Sequence, residues 1–549
     1  MLLINPANAE YGGTLSEFTP LALPMSIGCL AAALRQAGYP AEIWDEELMS
    51  IDDGTVETVL DPLLAHLPQP YLFGISVLTG QAKEAYRLCC WLKARYADCF
   101  VIMGGYHVTA LPEEPFEACP VDFVVRGEGE RTILELYKCL VEKVGNPADI
   151  KGLTYKKNGK FVHTGERPLI KDLSTLPRFP YESFVAMLDK VNSGSLRKHN
   201  YDWGFIVTSR GCPFKCSYCA QRMMTGNTYR WRPIEIVLEE LDILVNRFGA
   251  ESIFFLDDNF CFKRSHTIEL CERIRESKLG EKCDFSLQTR ADNFYEDLVP
   301  VMRAAGFTSV GFGMEVGTDA LMDQIKKGET IQQHIDAVKL AKRHDMDVAM
   351  FMIFGIPTET HADRKAAYKL CRSLGLTHLK FNNLMPYPGT PMYHDMRYKY
   401  PGRFKIVGYW ENFTSALSEM GLPLTSRKPL PYVPETSSEI ELTRDVIRYN
   451  LMATLFSWST IMGILLRRHG PGWFKLRARW YLKPNEYRKI FKLAVMLLGN
   501  LIFSFCPLFI LEPIMHARNP ALQRRLPKEN WPEHKPSGWA QESWKKEVA

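Results

Sequence analysis

Through the first 145 residues, short apolar runs alternate with longer segments whose apolar positions recur at helical spacing. "MLLINP" reads as a strand, and "MSIGCLAAALRQAG" as a helix ended by Gly38. "AEIWD", "YLFGISVL", "FVIMGG" and "DFVVRGEGE" supply further strands, and "VETVLDPLLAHL" a second helix. This alternation predicts an α/β domain over residues 1–145, a doubly wound parallel sheet with helices on both faces. Ligands are expected at the carboxyl ends of its strands.

Residues 146–200 read as a linker between domains. They carry a small hairpin with an Asn158–Gly159 turn and then a proline-rich stretch. From residue 201 to 395 the alternation resumes. "GFIVTSRG", "SIFFLDDNF", "DFSLQTRAD", "SVGFGMEVG", "DVAMFMIFGIP" and "LKFNNLMPYPGT" are strand-like, with helical patterns between them. Six such units predict a partial (β/α)6 barrel with its chemistry on the loops that follow the strands. Residues 396–549 are expected to be mainly helical. Two uncharged segments, 449–466 and 493–511, flank a basic run that includes Arg467, Arg468, Lys475, Arg477, Arg479, Lys483, Arg488, Lys489 and Lys492. Their polar or breaking residues, Asn450, Ser457, Asn500 and Pro507, argue against a two-pass anchor. So does the positive-inside tendency. Two readings stay open: apolar helices dipping into one leaflet beside anionic headgroups, or buried helices capping the barrel.

A chain of 549 residues exceeds what one hydrophobic core supports. A net charge of +4 on that length does not suit a whole-surface nucleic-acid binder, so no nucleic-acid partner is expected. The 14 cysteines are scattered, and Met1 runs directly into a strand without the pattern of a secretion signal. A reducing, cytoplasmic location is the expectation, peripheral on the inner face of the membrane under the first of the two carboxy-terminal readings. Most cysteines, Cys89 and Cys90 among them, read as buried free thiols.

One cluster stands apart. "SRGCPFKCSYCAQ" sets Cys212, Cys216 and Cys219 at spacing C-x3-C-x2-C. A closed structural zinc site takes four protein ligands. Three thiolates leave two options: a distant fourth ligand, or a [4Fe–4S] cluster with one iron open. The position after the first barrel strand, where substrates bind, favours the cluster.

The loop resembles that of the radical S-adenosylmethionine enzymes. The resemblance implies that Cys212, Cys216 and Cys219 bind a [4Fe–4S] cluster whose open iron chelates the methionine end of S-adenosylmethionine. The reduced cluster then releases a 5′-deoxyadenosyl radical. It also implies an electron donor such as flavodoxin or ferredoxin. By the same resemblance Tyr218 lies near the adenine, Glu315 in "GFGMEVGTD" meets the ribose or methionine end, and Gly355 and Pro357 in "FGIPTET" border the adenine. Arg290 in "QTRAD" is a partner for the methionine carboxylate. Asp257 and Asp258 in "FLDDNF" read equally as helix caps or substrate contacts.

The first domain is similar to the cobalamin-binding domain of one subclass of that family. Ser76 and Leu78 match its S-x-L segment and Gly104–Gly105 its GG segment, which implies contact with the cobalamin nucleotide tail. "INPANAEYGG" lacks the D-x-H-x-x-G histidine that binds cobalt elsewhere. His107 reads as a turn histidine hydrogen-bonded to backbone, not its substitute. Together these features suggest methylation of an unactivated carbon in a hydrophobic or lipid-like small molecule. The alternatives are an oxidative cyclase of the anaerobic magnesium-protoporphyrin ester cyclase type and a non-catalytic cobalamin or redox sensor.

Overall fold

The computed structural model describes residues 1–7, 21–51, 53–192, 201–202, 204–376, 378–414, 428–455, 495 and 498–518. The first sheet has seven strands: β1 (Leu2–Asn5), β2 (Glu42–Asp45), β3 (Tyr71–Ser76), β4 (Cys99–Gly104), β5 (Phe123–Val125), β6 (Leu153–Lys157) and β7 (Lys160–His163). Their order is β2-β1-β3-β4-β5-β6-β7. The first five run parallel, and β6 and β7 add antiparallel. Leu72, Phe73 and Ile75 of β3 are all buried, as a strand covered on both faces requires. Strand order reverses between β1 and β3, which opens a crevice at their carboxyl ends.

Helices α1 (Met25–Gln36), α2 (Ala82–Arg95), α3 (Tyr106–Ala110) and α4 (Glu130–Leu140) accompany this sheet. Gly38, with φ +84°, follows α1 and turns the chain back. The hairpin of the expected linker is part of this sheet. Its turn residues Asn158 and Gly159 both have positive φ, the geometry that matches strand twist.

The second sheet has six parallel strands in chain order: β8 (Phe205–Ile206), β9 (Ser252–Phe255), β10 (Asp284–Thr289), β11 (Phe307–Glu315), β12 (Asp347–Phe354) and β13 (His378–Asn383). This is the partial barrel. Phe255, Phe260, Phe285 and Phe307 interlock inside it, with ring centroids 4.9 to 5.6 Å apart.

The open edge at β13 is covered from the carboxy-terminal side. Helices α5 (Gln221–Thr225) and α6 (His361–Ser373) belong to the barrel, and α7 (Glu439–Leu455) packs across β13. The Asn450 carboxamide accepts from Phe381 N at 3.0 Å and donates to Phe381 O at 2.7 Å. A residue read as an interruption in an apolar segment thus pairs an edge strand. Arg364 on α6, fully buried, donates to Asp445 on α7 at 2.7 Å.

Beyond lie a helix at 498–505 and α8 (Leu508–Arg518), broken at Pro507. Phe503, Leu511 and Met515 pack on Ile440, Ile447 and Leu451 of α7. The outer face exposes Val495, Leu498, Ile502, Phe505, Phe509, Ile510 and Ile514. Among the described residues no helix is long and apolar enough to cross a membrane. Residues 456–466 of the first apolar segment and the basic run at 467–492 lie outside the described residues.

None of the fourteen cysteines, all among the described residues, forms a disulfide. Cys90 is exposed, contrary to the expectation of burial. Neighbours on a helix point about 100° apart, so the Cys89–Cys90 pair cannot both face the core.

Candidate functional site: a three-cysteine loop facing a glycine turn

The loop after β8 is held by several anchors. Gly211 has φ +94°, and a Cβ there would lie 2.2 Å from Thr228 O, so only glycine leads the chain into Cys212. Asp257 accepts from Thr208 N at 3.1 Å, from Thr208 Oγ1 at 2.7 Å and from the Ser209 hydroxyl. Asp258 accepts from Gly211 N at 3.0 Å and Gln221 Nε2 at 2.5 Å. Both acids therefore hold the cysteine loop. Burial pushes Asp258 up to about 6. On the other side of the loop, Ser217 N and Oγ each donate to Ile325 O at 2.9 Å.

Burial raises the Cys212 thiol, and pushes Cys219 up to about 12, with the field of Cys216 adding to both. Among the described residues no three His, Cys, Asp or Glu side chains gather to hold a single metal ion. Three thiols on one loop fit a cluster in which each sulfur meets a different iron.

Next to the loop lies a buried charged group. Glu315 ends β11 with φ +66°, where the register with β12 shifts. Such a conformation in a non-glycine residue is strained and turns the side chain out of the ladder. Its Oε1 accepts from the Tyr218 hydroxyl at 3.0 Å. Lys327 Nζ lies 3.6 Å from Glu315, 3.3 Å from Glu329 and 3.4 Å from the Tyr218 oxygen, at 6% exposure. Burial disfavours the Lys327 cation, but Glu315 and Glu329 outweigh it and raise its pKa. Burial likewise would raise Glu329, yet His334, Lys327 and Arg290 hold it down at about 2. Sequence reasoning missed Lys327 and Glu329. Both lie in the turn "KKGE", where Lys326 and Gly328 adopt positive φ, and its sequence carries no signal that the turn faces inward.

Arg290 follows β10. Its Nε and Nη2 donate to Asp292 at 2.9 and 2.8 Å, and Nη1 donates to Lys327 O at 2.9 Å. Nη1 also lies 3.9 Å from Cys216 Sγ, and the guanidinium sits 3.5 Å over the Phe214 ring. Gly355 after β12 has φ +95°, and its N–H donates to Glu359 at 2.5 Å. Pro357 is buried in the same loop. Burial pushes Glu359 up to about 8.

On the first sheet, β3 and β4 pair Ser76 with Gly104. The Ser76 and Ser26 hydroxyls are 3.1 Å apart, and Leu78 is 44% exposed. The two glycines differ. A Cβ on Gly105, at φ +107°, would meet Val77 O at 2.8 Å and Val77 N at 2.9 Å. A Cβ on Gly104 would meet only Val125, at 3.7 Å, so its outer side is open. A glycine with room for a side chain, beside an exposed leucine at the carboxyl ends of β3 and β4, suits the flat edge of a cobalamin tail.

His107 is a buried side chain with side-chain partners. Its Nε2 lies 3.2 Å from the Tyr86 hydroxyl and 3.4 Å from Glu114. Glu114 also accepts from Trp410 Nε1 at 2.8 Å, a contact spanning 296 residues. The turn histidine expected to bond backbone instead belongs to this polar cluster.

The two sheets meet through charged and polar side chains. Arg210 pairs with Glu130 at 2.6 Å, and Arg230 with Glu128 at 2.8 Å. The Tyr106 hydroxyl donates to Gln221 Oε1, two residues after Cys219.

Residues 206–371 match the radical SAM superfamily model, and residues 14–137 match the B12 binding domain model. An uncharacterized methyltransferase of Pyrococcus horikoshii is 32% identical over 401 residues, 72% of this chain and 84% of the relative. An anaerobic magnesium-protoporphyrin IX monomethyl ester cyclase of Synechocystis is 28% identical over 364 residues, 63% of this chain and 67% of the relative. The fold is similar to that of the radical S-adenosylmethionine methyltransferase TsrM of Kitasatospora setae, solved with cobalamin and a [4Fe–4S] cluster. The TM-score is 0.59 at 22% identity, covering 73% of this chain and 75% of that one. A barrel carrying the three-cysteine loop, a B12 binding domain before it and a relative matched over most of its length lead to one assignment: the chain belongs to the family of cobalamin-dependent radical S-adenosylmethionine methyltransferases and their cyclase relatives.

Proposed function

We propose that the protein methylates an unactivated carbon of a hydrophobic, lipid-like small molecule. The carrying observation is that Tyr106, next to the glycine turn, bonds Gln221, next to the third cysteine. Two cofactor seats face each other across one interface. When bound, the cluster and S-adenosylmethionine supply a 5′-deoxyadenosyl radical, and cobalamin supplies the methyl group. Cys212, Cys216 and Cys219 hold the cluster, and Asp257 and Asp258 hold their loop. Tyr218, Gly355 and Pro357 border the adenine. Glu315 and Lys327 orient the ribose and methionine end. Ser76, Leu78, Gly104 and Gly105 receive the cobalamin tail. On this reading 1–145 is the cobalamin domain, 146–200 the connection, whose hairpin extends the first sheet, 201–395 the radical barrel and 396–549 the carboxy-terminal region.

Two finer points belong to the proposal. The electron comes from a flavodoxin- or ferredoxin-like donor. The exposed face from Val495 to Ile514, following a basic stretch of sequence, supports peripheral contact with the inner leaflet of the cytoplasmic membrane.

The test is anaerobic reconstitution, with mass spectrometry of bound corrinoid and of products from a lipid extract. Replacing Cys212, Cys216 or Cys219 by serine abolishes 5′-deoxyadenosine formation, and unimpaired cleavage overturns the reading. A product heavier by one methylene supports methylation. Gain of oxygen or loss of hydrogens supports the cyclase reading, which the Synechocystis relative favours.

A further inference from the structure

We propose that Arg290 is a positioning residue for the iron–sulfur cluster: its N–H on Cys216 Sγ sets the reduction potential of the cluster held there, and it does not grip the methionine carboxylate. This inference rests on the cluster assignment above.

A guanidinium has five N–H donors and clamps a carboxylate through two parallel ones. The Nε–Nη2 edge of Arg290 is already occupied by Asp292, at 2.9 and 2.8 Å. The two Nη1 hydrogens face Lys327 O at 2.9 Å and Cys216 Sγ at 3.9 Å, with Glu329 Oε2 3.8 Å from the same nitrogen. One Nη2 hydrogen remains, too few for a second bidentate grip. One face of the plane is also closed, because Phe214, between the first two cysteines, stacks on it at 3.5 Å. At 6% exposure the group has no room to swing away without opening this packing. Lys327, whose Nζ lies among Glu315, Glu329 and the Tyr218 hydroxyl, is the other buried cation beside the loop.

What remains for Arg290 is the sulfur. A hydrogen bond to a ligating thiolate stabilises the more negative, reduced cluster and raises its potential. Asp292 and Glu329 together offset the cation's charge, so the N–H dipole is the main contribution. The two partners should therefore move the potential in opposite directions. Arg290→Met keeps the stacked bulk and removes the donor. Asp292→Asn keeps an acceptor for Nε and uncovers the positive charge.

The measurement is a redox titration of the reconstituted full chain, following the reduced-cluster EPR signal with a low-potential chemical reductant. Iron and sulfide contents are matched among samples. Arg290→Met lowers the ratio of reduced to oxidised cluster at a fixed potential at least tenfold, about 59 mV for one electron. Asp292→Asn raises it. Dissociation constants for S-adenosylmethionine, measured on oxidised protein, stay within about twofold for both. The proposal is overturned if Arg290→Met titrates as the parent does, if both variants shift the same way, or if Arg290→Met loses S-adenosylmethionine binding with an unchanged potential. Should Arg290→Met take up no cluster, Asp292→Asn alone decides, and an unshifted titration refutes the proposal. A parent chain that takes up no cluster removes the cluster assignment itself, a separate failure.

Discussion

Replacing Gly104 or Gly105 by alanine perturbs two adjacent residues with the same atom, and opposite outcomes follow. At Gly105 the backbone has φ +107° and ψ −177°, a region essentially confined to glycine. Forcing an L side chain there costs roughly 1–3 kcal/mol. The new Cβ would also press on Val77 O at 2.8 Å and Val77 N at 2.9 Å. Both are backbone atoms that cannot rotate away. Val77 N donates to Gly104 O at 2.7 Å, and His107 N donates to Val77 O at 3.1 Å, so moving Val77 strains two hydrogen bonds at about 1 kcal/mol each. Gly105→Ala should cost about 3–5 kcal/mol on these terms. At Gly104 the backbone is an ordinary strand and the nearest atom is 3.7 Å away. Gly104→Ala should hold or gain stability, by about 0.5–1 kcal/mol from the restricted unfolded chain. On the proposed function the methyl group, in ordinary contact with Val125, lies where the cobalamin tail would sit. Urea denaturation reads stability, and equilibrium dialysis against hydroxocobalamin reads binding. Gly104→Ala should keep the midpoint and lose at least tenfold in affinity. Equal destabilisation by both changes, or full corrinoid affinity in Gly104→Ala, refutes the distinction between structural and ligand-facing glycine.

Two other outcomes follow from side chains around the barrel and its carboxy-terminal cover. Lys327→Met leaves Glu315 and Glu329 without their shared buried cation. It should destabilise the chain by about 3–5 kcal/mol, with part recovered by adding Glu329→Gln, as urea denaturation measures. Changing Ile502 and Phe509, 63% and 78% exposed, to lysine should leave the melting temperature unchanged and abolish flotation with anionic liposomes. Unchanged flotation removes the membrane proposal.

What the sequence revealed depended on how local each signal is. The cysteine loop needs three residues at fixed spacing, and the parallel strands need only short apolar runs between helices. Both were readable without any knowledge of tertiary contacts. Lys327 was not, because a charged loop after a helix has the same pattern whether it turns outward or inward. Asn450 was misleading for a related reason. Hydropathy scores an asparagine as polar wherever it lies, and only the edge of β13 explains why it is buried. The hairpin after residue 150 was recognised, but its attachment to the first sheet is a pairing between β5 and β6 that no local pattern encodes.

The bond from Trp410 to Glu114 sets an order of events at the ribosome. A nascent chain that has released only its first domain offers Glu114 the Tyr86 hydroxyl and His107, but no indole. That buried acid lacks its indole donor until some three hundred more residues have been made. Truncation before residue 410 therefore leaves an amino-terminal domain whose buried Glu114 has lost its tryptophan donor.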